Sequence, residues 1–303
     1  MDGQKRQVIL ADAGLVISAV LWGGDYVVLK IALEGLNPLF INAVRFGLAT
    51  LLLLAAFRKH LRRITLPVVG AGFVVGFLMF AAFATQTLGL TYTTAGKSAF
   101  LTSQYVIFIP LVSWLLFRRF PGIPVFISSG ICVVGLAFLS LEGSDWGSLV
   151  FAFGPGEALT LACALFFGVN ITAVEYYVRR VDPILLTLTE TAFGALFFCL
   201  SALIFEPAPA ALTGVSLGAL AYLATLGTAL THVLANLSLK FTPATHASVI
   251  FTLETVFALV FGSLFLRELI TGPMIAGFAL ILAALFITEV GSVRAGRPGH
   301  QKL

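Results

Sequence analysis

Ten stretches of this chain run apolar for long enough to cross a bilayer, and that leaves few folds open to it. They fall at roughly 11–32, 39–57, 67–89, 95–117, 122–141, 157–178, 184–205, 214–239, 244–266 and 272–291. About 20 apolar residues span the hydrocarbon core as a helix. Lipid offers backbone N–H and C=O groups no partner, so a spanning segment is either a helix or a strand of a closed barrel. These runs are long and lack the alternation of a barrel strand, so helices are expected. Only 11% of the 303 residues are charged, against 59% hydrophobic, where a soluble domain carries about a quarter charged. So few charges cannot cover a water-exposed surface. The sequence predicts an all-α integral membrane protein whose first partner is the lipid bilayer.

Lys and Arg decide the orientation, because they gather in cytoplasmic loops. With the N-terminus inside, the inner segments hold Lys5, Arg6, Arg58, Lys59, Arg62, Arg63, Arg118, Arg119, Arg179, Arg180, Lys240, Arg294, Arg297 and Lys302, fourteen of the eighteen basic residues. Lys30, Arg45 and Lys97 lie within helices, and Arg267 alone lies in an outer loop. The outer loops carry Glu34, Glu142, Asp145, Glu206 and Glu268 instead. Both termini are therefore expected in the cytoplasm. The net charge of +4 reflects topology, and no nucleic acid is implied as a partner. Cys132, Cys163 and Cys199 sit in apolar runs, where each behaves as a small hydrophobe, so neither a disulfide nor a metal site is expected. The first apolar run is too long for a signal peptide and lacks a small-residue cleavage site, so it is expected to stay as a helix. No Walker-type phosphate loop is present, and no cofactor or ATP drive is expected.

Two of the runs share a layout. Shifted by 149 positions, 92–119 falls on 241–268, which pairs Thr93 with Thr242, Ala95 with Ala244, Phe108 with Phe257, Leu115 with Leu264 and Arg118 with Arg267. Just beyond, Pro124 falls on Pro273. Apolar helices match by chance, so the paired Arg and Pro weigh more than the paired Leu. A shift of 145 puts Gly23 on Gly168, Asn37-Pro38 on Asp182-Pro183 and Leu51 on Leu196. The chain reads as two related halves, 1–145 and 146–303, with five helices each. Five is odd, so the second half enters the membrane from the opposite face: ten transmembrane helices as two inverted-topology five-helix repeats. Such repeats recur in secondary transporters, where one half rocks against the other about a site near the midplane.

The fourth helix from Ala95 to Arg119 with Pro110, the ninth from Ala244 to the Leu266-Arg267-Glu268 end, and Trp22-Gly23-Gly24 in the first carry a family resemblance. On these the chain resembles the drug/metabolite transporter superfamily, in particular its ten-helix permeases built from two EamA-type halves. Among those it is most similar to bacterial amino-acid exporters of the inner membrane. Arg119 stands where such permeases often have a Glu. The resemblance implies a transporter that moves a small-molecule substrate outward by alternating access, with aromatic or neutral amino acids as the first candidates. Drugs or other metabolites are the alternative cargo. A membrane-embedded enzyme needs a constellation such as a His pair at i,i+4 or a Gly-x-Ser-x-Gly elbow between a strand and a helix. The sequence has no such His pair, and its Gly214-Val215-Ser216-Leu217-Gly218 run opens an apolar span with no strand before it, so no catalytic residues are expected.

Ionisable residues inside spans are costly and usually face a partner or a cavity. Lys30 with Glu34, and Glu175 with Arg179, suit i,i+4 pairing. Asp25 and Arg45 lie at one depth below the outer face, as a strut or an outer gate. Their counterparts Asn170 and Glu190 lie near the inner face with His232, as a proton-sensitive gate or a hydrogen-bonded helix contact. In helix 8, Thr225, Thr228, His232 and Asn236 recur at spacings of 3, 4 and 4, which keeps them on one face. Helix 3 offers Gly76, Met79, Phe83 and Thr87 at corresponding places, with Gln86 adjacent. This face lines a substrate path or serves interhelical hydrogen bonds. Ser98, Thr102 and Tyr105 share a face of helix 4, as Phe251 and Glu254 do in helix 9, and Trp22 and Phe167 reach the same depth. A carboxyl there can bind a substrate amine, carry a proton, or bond a neighbouring helix. Lys97 is expected to snorkel to the interface, and Pro110 to bend helix 4.

Overall fold

The computed structural model describes residues 3–118, 120, 122–139, 154–207, 212–267 and 272–294. Among these the chain is all-helical. In chain order the helices are α1 (Gly3–Leu33), α2 (Pro38–Ala56), α3 (Leu66–Leu90), α4 (Ala95–Thr102), α5 (Tyr105–Phe117), α6 (Ile123–Leu139) and α7 (Pro155–Val178). There follow α8 (Pro183–Phe205), α9 (Gly214–Ala224), α10 (Thr231–Leu239), α11 (Ala244–Phe251), α12 (Leu253–Leu266) and α13 (Gly272–Arg294). Eight stretches are long and apolar enough to cross a membrane, three of them composite: α4 with α5, α9 with α10, and α11 with α12. The other two expected spans fall on α6 and α13, whose apolar runs are shorter, Ile123–Gly135 and Ile275–Ala284. Arg119, Glu142, Asp145, Glu268, Arg297, Lys302 and the divide between residues 145 and 146 lie outside the described residues.

Local chemistry starts the helices where the sequence changes character. Pro38, Pro155 and Pro183 each stand in a first turn, where a missing N–H costs nothing. Asp182 caps α8 by accepting from the backbone N–H of Ile184 at 2.8 Å. Asn37, its counterpart, makes no such bond. The start of α2 is capped from across the molecule, where Glu206 accepts from the N–H groups of Leu39 and Phe40, each at 2.7 Å. Arg118 and Arg267 end α5 and α12 in the left-handed region, at φ 51° and 59°. They are 149 positions apart.

Helices 4 and 9 are each expected as one rod, and each is broken. The interruption falls at Ser103-Gln104 between α4 and α5, and at Thr252 between α11 and α12. Ser103 and Thr252 are again 149 apart. Pro110 is not the break point: it lies inside α5. Polar side chains at the breaks bond local carbonyls and compete with the helical ladder: Gln104 Nε2 donates to Phe100 O at 3.3 Å and Thr252 Oγ1 to Val249 O at 2.6 Å. Between α9 and α10 the residues Thr225–Leu230 form a π-helical turn. There Thr228 Oγ1 donates five residues back to Leu223 O at 2.7 Å. The wider turn rotates Thr225 to the outside, so the expected stripe of four is cut to Thr228, His232 and Asn236.

Close packing organises the bundle. α1 lies along α10 and α12, α3 lies between α7 and α8, α2 against α8, α5 against α7, and α6 against α13. Small residues allow these approaches. A Cβ on Gly76 would stand 2.8 Å from Glu190 O on α8. One on Gly168 would stand 2.7 Å from the Cβ of Phe108, and one on Gly23 would meet the Cβ of Phe257 and Glu254 O at 2.8 Å. Outward faces carry exposed apolar side chains such as Leu51, Leu115, Leu203 and Phe205, a surface suited to lipid rather than water. The result is a multi-pass membrane protein.

Candidate functional site

The two broken helices meet. Tyr105 opens α5 and its hydroxyl donates to Glu254 Oε1 at 3.1 Å; Glu254 stands in the first turn of α12. Ser103 Oγ, at the other break, lies 3.3 Å from the same oxygen and 2.6 Å from Thr255 Oγ1. Tyr105 and Glu254 are also 149 positions apart, so the contact joins equivalent positions. Around them opens a chamber of about 740 Å³, its mouth included, with a predominantly apolar lining.

α1 brings Trp22, Asp25 and Tyr26 to this chamber, α2 Arg45, α3 Phe83 and Gln86, α4 Thr102, and α7 Phe167 and Asn170. α8 brings Glu190, α10 His232 and Asn236, and α11 Phe251. Aromatic rings form its collar: Trp22 is 5.0 Å from Phe251 and 6.0 Å from His232, and Phe83 is 5.1 Å from Phe167, centroid to centroid. Met79 and Ser98 do not join the lining. Met79 is buried with Phe46 and Phe198, and Ser98 is fully buried with its hydroxyl unpartnered. Tyr26, Ile171 and Val174 line the chamber without having been singled out. Tyr26 accepts from Gln86 Nε2 at 3.1 Å, and Ile171 lies four positions from Phe167 and Val174 four from Asn170, a helical face that polar residues alone do not reveal.

Asp25 and Arg45 form a buried ion pair, Oδ2 to Nη2 at 2.7 Å, with Arg45 wholly inaccessible. Arg45 Nε also donates to Thr228 Oγ1 at 2.8 Å and Nη2 to Gly227 O at 3.2 Å, while Trp22 Nε1 reaches the same carbonyl at 3.3 Å. The π turn exposes that carbonyl. Gly227 is required there, because a Cβ would strike the Asp25 carboxyl. The guanidinium carbon also lies 5.0 Å from the Phe83 ring centroid.

At the other end, the expected layer of Asn170, Glu190 and His232 is not internally bonded. Asn170 Nδ2 donates to Val75 O at 3.0 Å. His232 Nδ1 stands 2.9 Å from Thr228 O; a carbonyl only accepts, so Nδ1 carries a proton. Glu190 Oε1 accepts from Asn236 Nδ2 at 2.8 Å instead. Other charged groups also differ from expectation. Lys30 donates to the carbonyls of Leu90 and Thr93, at 3.0 and 2.8 Å, rather than to Glu34. Lys97 pairs with Glu157 at 3.0 Å rather than snorkelling. Glu175 and Arg179 do pair, at 2.7 Å.

A multi-pass helical protein around an internal chamber with apolar walls and a few convergent polar groups belongs to the class of membrane solute transporters. The chain belongs to the EamA-like transporter family, whose model matches it twice, over residues 9–141 and 154–290. It is 32% identical over 290 residues to an uncharacterized transporter of Archaeoglobus fulgidus, covering 95% of this chain and 88% of that one. It is 24% identical to the uncharacterized transporter YoaV of Bacillus subtilis, covering 90% of this chain and 94% of the relative. A protein of known crystal structure shares the fold with a TM-score of 0.78 at 17% identity, over 94% of this chain and 98% of that one.

Proposed function

We propose that this protein is a secondary transporter that carries small organic solutes, first among them aromatic or neutral amino acids, out across a bacterial inner membrane by alternating access. In this reading ten helices form two inverted-topology halves, 1–145 and 146–303, with both termini in the cytoplasm. The observation that carries it is the meeting of two interrupted helices at equivalent positions, Tyr105 on Glu254, beside the chamber. Interrupted helices at a repeat interface are where transporters bind solutes. Paired contacts support the repeat: Gly23 packs on Phe257 as Gly168 packs on Phe108, with each partner at its equivalent position. Amino acids come first because the sequence resembles exporters of that class, and the aromatic collar is compatible with an apolar side chain.

Counterflow in proteoliposomes tests the proposal. Preloaded unlabelled solute should accelerate uptake of the labelled form for at least one member of a panel of amino acids, nucleosides and cationic drugs. No acceleration by any member overturns it. Glu254→Gln should alter the exchange rate or its pH dependence; an unchanged rate and profile would assign Glu254 to structure alone.

A further inference from the structure

We propose that Glu190 is the recognition point for a protonated amine, so that the chamber selects solutes by an ammonium group on an apolar body and not by a carboxylate. This rests on the transporter reading and narrows its cargo. The charges on the walls are unequal. Three carboxyl groups, those of Asp25, Glu190 and Glu254, face one guanidinium, that of Arg45, and Asp25 already neutralises it. Glu254 is held by Tyr105 and Ser103. Neither Glu190 nor Glu254 has a Lys or Arg partner among the described residues.

Glu190 is the carboxyl left with neither a cation nor a donor on its second oxygen; Asp25 Oδ1 also lacks a hydrogen-bond donor, but its carboxyl is already paired with Arg45. Glu190 is 1% exposed. Asn236 Nδ2 fixes Oε1 at 2.8 Å, and the same nitrogen is held by Thr187 Oγ1 at 2.8 Å. Oε2 has no hydrogen-bond partner. A buried acceptor without a donor is expensive, the more so when charged. An ammonium supplies three donors and a compensating charge.

The spacing along one helical face disfavours the alternative in which one amino acid bridges both ends. Thr228 bonds Arg45 and Asn236 bonds Glu190, with His232 midway between them. Eight residues at about 1.5 Å each separate these anchors by about 12 Å. The ammonium and carboxylate of an α-amino acid are attached to one carbon and cannot span that. A solute whose amine sits on Glu190 therefore leaves Arg45 to its pairing with Asp25. Removing the carboxylate from the solute should cost no affinity.

The test is calorimetric titration of the full chain in lipid nanodiscs with four probes of matched body: 2-phenylethylamine, 2-phenylethanol, phenylacetate and phenylalanine. The expected order places the amine at least level with phenylalanine and above the alcohol, with phenylacetate weakest. Glu190→Gln keeps the acceptor for Asn236 and should weaken the amine about tenfold or more, while the alcohol changes less than about twofold. Glu254→Gln should retain the amine better than Glu190→Gln does. Amine binding unaffected by Glu190→Gln, equal loss of amine and alcohol, or a wild type that prefers phenylacetate overturns the assignment. The wild-type order stands as a test even if a variant fails to fold. Counterflow separates the two readings: exchange of the alcohol or phenylacetate but not the amine keeps the transporter and removes Glu190, whereas no exchange of any solute removes the transporter.

Discussion

Asp25→Ala leaves Arg45 buried against Phe83 and the π turn with no counter-charge. The guanidinium is wholly inaccessible and loses its 2.7 Å bond to Asp25, while keeping Thr228 Oγ1 and Gly227 O. A charge-assisted hydrogen bond contributes about 1.5–3 kcal/mol, and stranding one partner of a buried ion pair costs about 3–5 kcal/mol in all. The retained neutral acceptors set the expectation at the lower end, near 3 kcal/mol, or a fall of about a hundredfold in the folded-to-unfolded ratio. Replacing both residues, as Asp25→Ala with Arg45→Met, removes the charge and the need for it together, and should recover most of that loss. The assay is a double-mutant cycle on reversible unfolding in mixed micelles, with Asp25→Ala, Arg45→Met and the double variant compared with wild type. Single variants that each cost under about 1 kcal/mol, or a cycle that is additive to within about 0.5 kcal/mol, would refute the reasoning that this pair is a coupled buried strut.

Gly227→Ala places a methyl on the Asp25 carboxyl and should cost about 1–3 kcal/mol; in an Asp25→Ala background, where the space is free, the same change should cost measurably less on the same unfolding assay. Gly23→Leu and Gly168→Leu both drive a side chain into a helix contact, against Phe257 and Phe108, and each should lower stability by about 1–3 kcal/mol or more. Gly47→Ala has nothing within 4 Å of the new methyl and serves as the control, neutral or stabilising by up to about 1 kcal/mol within α2.

The class of protein and most of its helices were legible in the chain, because membrane span length is a one-dimensional property. A run of apolar residues long enough to cross lipid has one solution whatever its neighbours do. Depth was legible too, since a fixed rise per residue puts Asp25 level with Arg45 before any contact is known, and the two do pair. The i,i+4 pair of Glu175 and Arg179 was legible for the same reason: both lie on one helix.

Partners across helices were decided by tertiary structure. Lys30 turns from Glu34, one turn away, to the carbonyl end of α3, and Lys97 finds Glu157 on α7. Asn236, not His232, meets Glu190, because His232 lies one turn away on the same face of α10 and bonds the carbonyl of Thr228 instead. Met79 packs among Phe side chains, and Ser98 is buried away from the chamber, for the same reason: helical periodicity assigns residues to a face, and only packing decides what that face meets. The breaks at Ser103 and Thr252 were hidden as well, since their signal is a hydroxyl or amide bonding its own backbone, and Pro110 is the more conspicuous residue. Composition and period thus dictated a bundle of membrane helices; the rotation of each helix, which depends on every neighbour at once, dictated which charges are cancelled and which are left facing the chamber.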